Sequence, residues 1–316
     1  MPQIFKLPSG ELREYLERVI LLTARSAGLH WPLPKGKYRM MLLAESLCRN
    51  FPKEVRVSTP DGRILELSFS PNIWDTVFFF GEYEPEITNI VGRIIENGDC
   101  CLDVGANFGW YTTLFSKLVG PDGSVFSFEP HPETFELLRK NVSLLELENF
   151  LIYNFGLGRY NGEAELHLFD ELGSGHSSIA DHGRANTKKI KIEMRTFDDF
   201  AREHSIKNEI TFLKADIEGA ELDFLAGAES LFQQSVPPII LMEMALEQSS
   251  AFGYSPNDLI EFIRQRRPYR FFAIDMFNGR MTELQNFPDG HIGANVIAFP
   301  EGFYNERLAR LSNRIC

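Results

Sequence analysis

From Gly98 onward, short apolar runs alternate with longer amphipathic stretches, and this rhythm limits what the chain can fold into more than any other feature. Cys100 to Val104 reads as a strand, Phe108 to Val119 as a helix turning Phe108, Tyr111, Phe115 and Leu118 inward, and Ser124 to Phe128 as a second strand. His131 to Leu147 repeats the helical spacing with Phe135, Leu138, Val142 and Leu145, and Phe150 to Asn154 is a third strand. Such alternation builds a sheet of parallel strands with helices on its faces. It breaks at Gly162 to Asp170 and Lys189 to Phe197, which read as paired strands around the polar loop ELGSGHSSIADHGRANT, long enough to be functional or mobile. It resumes with the strand TFLKAD, a helix through Leu222, Leu225 and Leu231, the strand PPIILMEM and a helix from Ser255 to Arg266. The end, RFFAID, FNGR and ANVIAFP, reads as two strands joined through an Asn278-Gly279 turn.

Residues 1–78 follow a different pattern and are expected to form a helical and hairpin extension, with the α/β domain covering 79–316. Leu12, Tyr15, Leu16, Val19 and Thr23 mark a helix over Glu11 to Ala27, a second helix lies near Met40 to Arg49, and Val55 to Phe69 alternates around Pro60-Asp61-Gly62. The extension is open to serving as a substrate cap, as the arm of a homodimer, or as both. No apolar run approaches the roughly 20 residues needed to span a bilayer. The first helix is charged throughout and lacks the apolar core and cleavage site of a signal peptide. With 32 Lys and Arg against 44 Asp and Glu, the net charge of −12 opposes extended binding to nucleic acid. Cys48, Cys100, Cys101 and Cys316 show neither CxxC spacing nor a His in register, which argues against zinc or a disulfide framework and for a reducing, cytoplasmic setting.

The sharpest local signal is CLDVGANFGWYT, Cys101 to Thr112. Asp103 ends an apolar strand, and Gly105 and Gly109 frame a turn whose backbone can approach a ligand before the helix begins. A dinucleotide-binding turn would read GxGxxG, and a carboxylate beside the ligand suits an ammonium better than a pyrophosphate. Glu129 ends the next strand 26 positions later, where an acidic side chain can grip a ribose diol. Two carboxylates at adjacent strand ends describe a nucleoside that also carries an amino acid, which is S-adenosylmethionine.

DVGANFGWYT, FSFEPHPETFELLRKN, RTFDDF and LKADIEGAELDFLAGA, with FFGEYEPEI ahead of them, resemble the FkbM-type family of S-adenosylmethionine-dependent methyltransferases over roughly residues 79 to 300. The resemblance implies an α/β class I methyltransferase fold, a Rossmann-like seven-stranded sheet of order 3214576 with strand seven antiparallel. It also implies O-methylation of a hydroxyl, often on a sugar or natural product. Carried onto matching positions, it assigns Asp103, Gly105, Asn107 and Gly109 to the methionine end of the cofactor and Glu129, next to Pro130, to the ribose. Asn154, Gly156 and Leu157 fall by the adenine. Tyr83 and Glu84 are candidates to close over the cofactor or to shape the turn into the sheet.

Ligands of open α/β sheets collect at the carboxyl ends of the strands. Asp216 and Glu218 lie there in KADIEGAE, and Asp216 is the first candidate for the base that takes the acceptor's proton or for orienting the acceptor, Glu218 the second. Glu218 is equally readable as a carboxylate at a helix N-terminus. Glu243, at the end of its strand, is placed to bind substrate or to join Asp216 at a divalent metal, although no complete metal-ligand set is visible. His176, between loop hydroxyls that include Ser177 and Ser178, is a third candidate base, and the two serines are candidate substrate contacts. His131 reads as a helix-start residue, and Trp110 and Tyr111 as packing residues. Two other classes stay open: a nicotinamide-dependent oxidoreductase, and a cofactor-binding interaction protein whose transfer machinery is unused.

Overall fold

Strands whose side chains are apolar on both faces fill the interior of the larger part of the chain, and the helices that connect them cover those faces. The computed structural model describes residues 9–30, 36–48, 54–68, 74–168, 177–180, 187–204, 206, 209–288 and 290–316. It divides into two units, Met1–Tyr83 and Glu84–Cys316.

In the first unit, α1 (Ser9–Leu29) and α2 (Lys37–Leu47) precede an antiparallel pair, β1 (Glu54–Ser58) and β2 (Ile64–Ser68), and then α3 (Trp74–Phe80). The hairpin closes where Thr59 donates its amide to the Arg63 carbonyl at 2.9 Å and Asp61 pairs with Arg63 at 2.8 Å. Val57, Leu65 and Leu67 point inward with Leu21 and Ala24 of α1.

The second unit opens with α4 (Pro85–Ile94) and runs through β3 (Cys100–Val104), α5 (Trp110–Val119), β4 (Ser124–Phe128), α6 (Pro132–Val142) and β5 (Phe150–Tyr153). Next come β6 (Gly156–Leu157), β7 (Gly162–Leu168), β8 (Lys188–Arg195), α7 (Phe197–Glu203) and β9 (Phe212–Ala215). The rest is α8 (Glu221–Ala226), α9 (Glu229–Gln233), β10 (Ile239–Ala245), α10 (Leu246–Ala251), α11 (Pro256–Arg266), β11 (Tyr269–Ile274), β12 (Met281–Leu284), β13 (Gly293–Pro300) and α12 (Asn305–Ala309). The main sheet has the order β12-β11-β13-β10-β9-β3-β4-β5, and β6-β8-β7 form a separate small sheet. From β5 through β10 neighbouring strands are parallel, whereas β13 is antiparallel to both β10 and β11.

The sheet therefore has eight strands where seven were expected. The addition is β12, which follows the Asn278-Gly279 turn in a segment read only as part of the connection between two strands. Asp275 folds that turn by accepting from Phe277 N and Asn278 Nδ2, which lets Met281–Leu284 pair back along β11 and adds an edge. Three helix limits also differ. Asn107 and Gly109, at φ 50° and 91°, hold the chain out of helical geometry until Trp110. The helix after β4 ends at Val142, where Leu144 and Leu145 turn onto Asn141 and Val142. The helix drawn through Leu231 breaks in two because Asp198 caps the amides of Glu229 and Ser230, both at 3.0 Å, and starts α9 afresh.

α11 opens on a capping box between Ser255 and Asp258. The C-terminal α12 is tied to the start of β3, where both terminal nitrogens of Arg307 reach the Asp99 carboxylate at 2.6 and 2.9 Å. Among the described residues no helix is long and apolar enough to cross a membrane.

Candidate active site

Pleating sorts the strand ends into two faces. Asp103 pairs with Lys214 across β3 and β9, and Lys214 pairs with Leu241 of β10, so Asp103, Lys214, Leu241 and then Glu243 share one face. Their alternates Leu102, Val104, Leu213, Ala215, Met242 and Met244 point the other way, into the main core. Charge and apolar packing thus separate within single strands.

The turn after β3 is fixed by backbone. Gly105 N and Ala106 N both donate to the Phe128 carbonyl at 3.0 Å. Gly105 has φ +80°, and a Cβ there would lie 2.1 Å from the Asp216 carbonyl oxygen, so only glycine lets the two loops approach. Glu129 closes the other side, its two oxygens accepting from Asn107 N and His131 N, both at 2.9 Å. Burial pushes its carboxyl up to about 7 despite those two amides. Each Glu129 oxygen keeps a lone pair for a further donor.

Asp103 accepts from the Thr112 hydroxyl at 2.7 Å through Oδ2. Its Oδ1 and the Asn107 Oδ1 are buried and have no hydrogen-bond partner. A buried acceptor without a donor costs about 1–3 kcal/mol, so both atoms call for a donor that arrives from outside. Burial raises the Asp103 carboxyl, against the opposing pull of Lys214.

Lys214 is buried, donates to Asp216 Oδ2 at 2.9 Å and lies 4.5 Å from the centre of the Tyr111 ring. Burial alone would lower its ammonium, yet Asp216, Glu84 and Asp103 together hold it above the usual value. The Tyr111 hydroxyl donates to Glu84 Oε2 at 2.6 Å, and Glu84 sits in left-handed geometry, φ 44°, as the residue before α4. Burial raises the Glu84 carboxyl, with Lys214 opposing. Beyond Asp216, the turn folds onto Glu221, which accepts from Ile217 N and from the Tyr254 hydroxyl, each at 3.1 Å, and is pushed up to about 7 by burial.

These elements enclose one cavity. Gly105, Asn107, Glu129, Pro130, Gly156 and Leu157 line one part of it, and Asp216, Glu218 and Ser177 another. Leu166, Ile192 and Met194 of the small sheet, with Ile179 from the segment between β7 and β8, give it an apolar wall. The segment carrying Ser177 and Ser178 is pinned there, since Ser178 and His167 exchange backbone hydrogen bonds at 2.8 and 3.1 Å and the Ser178 hydroxyl donates to the Glu218 carbonyl.

Several expected site residues sit beside the cavity rather than in its lining. Gly109 forms the turn before α5, and Asn154 uses its amide to hold the carbonyls of Glu129 and Pro130. Asp103, Glu84 and Glu243 are not among the lining residues, and Ser178 is spent on Glu218. His176 lies outside the described residues. His131 caps α6 by accepting from Thr134 N, and Trp110 donates to Thr88. Glu221, not Glu218, closes the turn before α8, so Glu218 is left on the cavity wall. Sequence reasoning missed Lys214 and Glu221. The two-residue period of LKAD, which puts Lys214 on the face of Asp216, was the available signal for the first.

The orphaned acceptors, the amide-held Glu129 and the glycine turn have the chemistry that suits S-adenosylmethionine, the cofactor of the FkbM-type methyltransferases. The methyltransferase FkbM domain matches residues 103–271, more than half of the chain, and the chain belongs to that family. It is 26% identical over 145 residues to Methyltransferase 1 of Beauveria bassiana, a match covering 40% of this chain and 57% of that protein, under two thirds of its length. It is 24% identical over 184 residues to the hexuronic acid methyltransferase AglP of Haloferax volcanii, covering 58% and 69%. A solved S-adenosylmethionine-dependent O-methyltransferase of Thermotoga maritima overlays with a TM-score of 0.37 at 11% identity, covering 81% of each chain.

Proposed function

We propose that the protein transfers a methyl group to a hydroxyl of a small molecule, a sugar or a hydroxylated natural product, with Asp216 as the group that takes the hydroxyl's proton. The observation that carries this reading is the position of Asp216. It lies on the cavity wall, one oxygen bound to Lys214 at 2.9 Å, next to the turn after β3.

S-adenosylmethionine supplies, when bound, a methyl carbon on a positively charged sulfur. Asp103 and Asn107 offer their unpaired oxygens to its ammonium end, with Glu84 behind them, and Glu129 takes the ribose hydroxyls. Gly156, Leu157 and Pro130 form the adenine side. A free hydroxyl is a weak nucleophile, and a positioned base contributes on the order of 10²–10⁴-fold. Holding the acceptor in line contributes up to roughly 7–11 kcal/mol. Glu218 and Ser177 face the same space and would hold the acceptor. The relative whose name specifies a hexuronic acid supports a sugar acceptor.

The test is incubation with S-adenosylmethionine and a panel of hexuronic acids, neutral sugars and hydroxylated polyketides, read by mass spectrometry. A product heavier by one methylene, with the methyl on a hydroxyl oxygen and lost in Asp216→Asn, is expected. Methyl on a carboxylate, nitrogen or carbon would overturn the reading.

A further inference from the structure

Four carboxylates from four separate elements lie around Lys214 at the ends of β3, β9 and β10: Glu84, bound by the Tyr111 hydroxyl whose ring faces Lys214, Asp103 in register with Lys214, Asp216 bound to it, and Glu243 on the same face of β10. Pleat register places Asp103, Lys214 and Glu243 on one face, and Lys214 is bound to Asp216 on that face. Lys214 is the cation that faces the set among the described residues. Asp103 is 0% exposed, and its Oδ1 has no partner. Neighbouring carboxylates removed from water do not all ionise, because each added charge opposes the next.

We propose that this set distinguishes cofactor from product by charge, giving up a proton to solvent when a ligand bearing a sulfonium enters and keeping that proton when the ligand is the neutral thioether. The inference deepens the proposed function and rests on its cofactor placement and hydroxyl acceptor. At neutral pH S-adenosylmethionine carries one net positive charge and S-adenosylhomocysteine none. Glu243, two residues beyond the β10 partner of Lys214 and on the same face, is the group assigned to yield the proton. Burial first, then Asp216, Glu218, Glu221 and Glu84, push it up to about 9, and Glu84 and Asp103 are raised by burial in the same direction.

The cycle balances. On transfer the set, through Asp216, takes the proton of the acceptor hydroxyl. The oxygen–hydrogen pair becomes the new bond to carbon, and the carbon–sulfur pair stays on sulfur. The set then holds again the proton it released on binding, the thioether meets a neutralised site, and the next cofactor expels that proton. Glu243, Glu84 and Asp103 are thereby specificity-determining residues for the charge state of the ligand.

Calorimetry tests this without an acceptor. S-adenosylmethionine and S-adenosylhomocysteine are titrated into the protein at about pH 8 in phosphate and in Tris, whose ionisation heats differ widely. The buffer-dependent heat is expected to report release of about one more proton for the sulfonium ligand than for the thioether. Equal buffer dependence for the two would overturn the inference while leaving the cofactor site intact. Failure of both to bind would overturn the site itself. The isosteric Glu243→Gln is expected to shrink the difference between ligands, and an undiminished difference would remove Glu243 from the role. The comparison in the unaltered protein decides the main claim even if that variant does not fold.

Discussion

A side chain at Gly105 would overlap the backbone carbonyl of Asp216, its Cβ only 2.1 Å from that oxygen. The turn proposed to cradle the cofactor and the loop that carries the candidate base are thus packed backbone to backbone. Gly105→Ala must adopt φ +80° and push the two apart. It is expected to lower stability by ~2 kcal/mol or more and to weaken S-adenosylhomocysteine binding, checked by denaturant unfolding and calorimetry. Undiminished stability would mean that the contact does not constrain the turn.

The proposed ribose contact of Glu129 would give cofactor affinity a pH dependence of definite sign. Its carboxyl is raised to about 7, and only the ionised form accepts from both ribose hydroxyls while holding the Asn107 and His131 amides. Affinity for S-adenosylhomocysteine is therefore expected to fall as pH drops below about 7, by up to ~10-fold per unit. Titrations between about pH 5.5 and 8.5 check this, and Glu129→Gln is expected to flatten the profile.

The buried carboxyls also set how stability changes with pH. An unfolded glutamate titrates near ~4.3, whereas Glu129 and Glu221 are held near about 7 and Glu243 near about 9. Between those limits the folded protein holds more protons than the unfolded chain, so stability falls as pH rises through the window. Glu243→Gln removes its share. Denaturant midpoints measured across pH should show a shallower decline and a gain of ~1–3 kcal/mol at neutral pH and above.

Much of this arrangement was legible in the chain. The alternation after Gly98 yields β3 and β4 with their observed limits because Cys100 to Val104 and Ser124 to Phe128 are apolar runs bounded by glycine and polar residues. Gly105, Asn107, Glu129 and Asp216 come together because residues that end adjacent parallel strands must share one crevice. The eighth strand was not legible. Met281–Leu284 is four residues long, pairs along its length only with β11, and its sequence MTEL carries no alternating strand pattern. Lys214 was passed over because an isolated lysine in a strand reads as solvated, and its burial depends on Glu84, Asp103 and Tyr111, which arrive from three other elements.

The clamp between Arg307 and Asp99 links the end of the chain to the first strand of the main sheet. Arg307→Met would leave the Asp99 carboxylate, 4% exposed, without its fork-shaped partner. A loss of about 3–5 kcal/mol is expected in thermal or denaturant unfolding. Arg307→Met combined with Asp99→Asn should recover part of it, since the uncompensated charge is then gone.

Calorimetric titration of S-adenosylhomocysteine into the protein and two variants asks whether the crevice lined by Asn107, Glu129 and Asp216, with Asp103 beside it, is the proposed S-adenosylmethionine site. Saturable binding to the unaltered protein is expected, with loss of binding in Asp103→Ala and a weakening on the order of 10–100-fold in Glu129→Ala. Binding of unchanged affinity in both folded variants would contradict it.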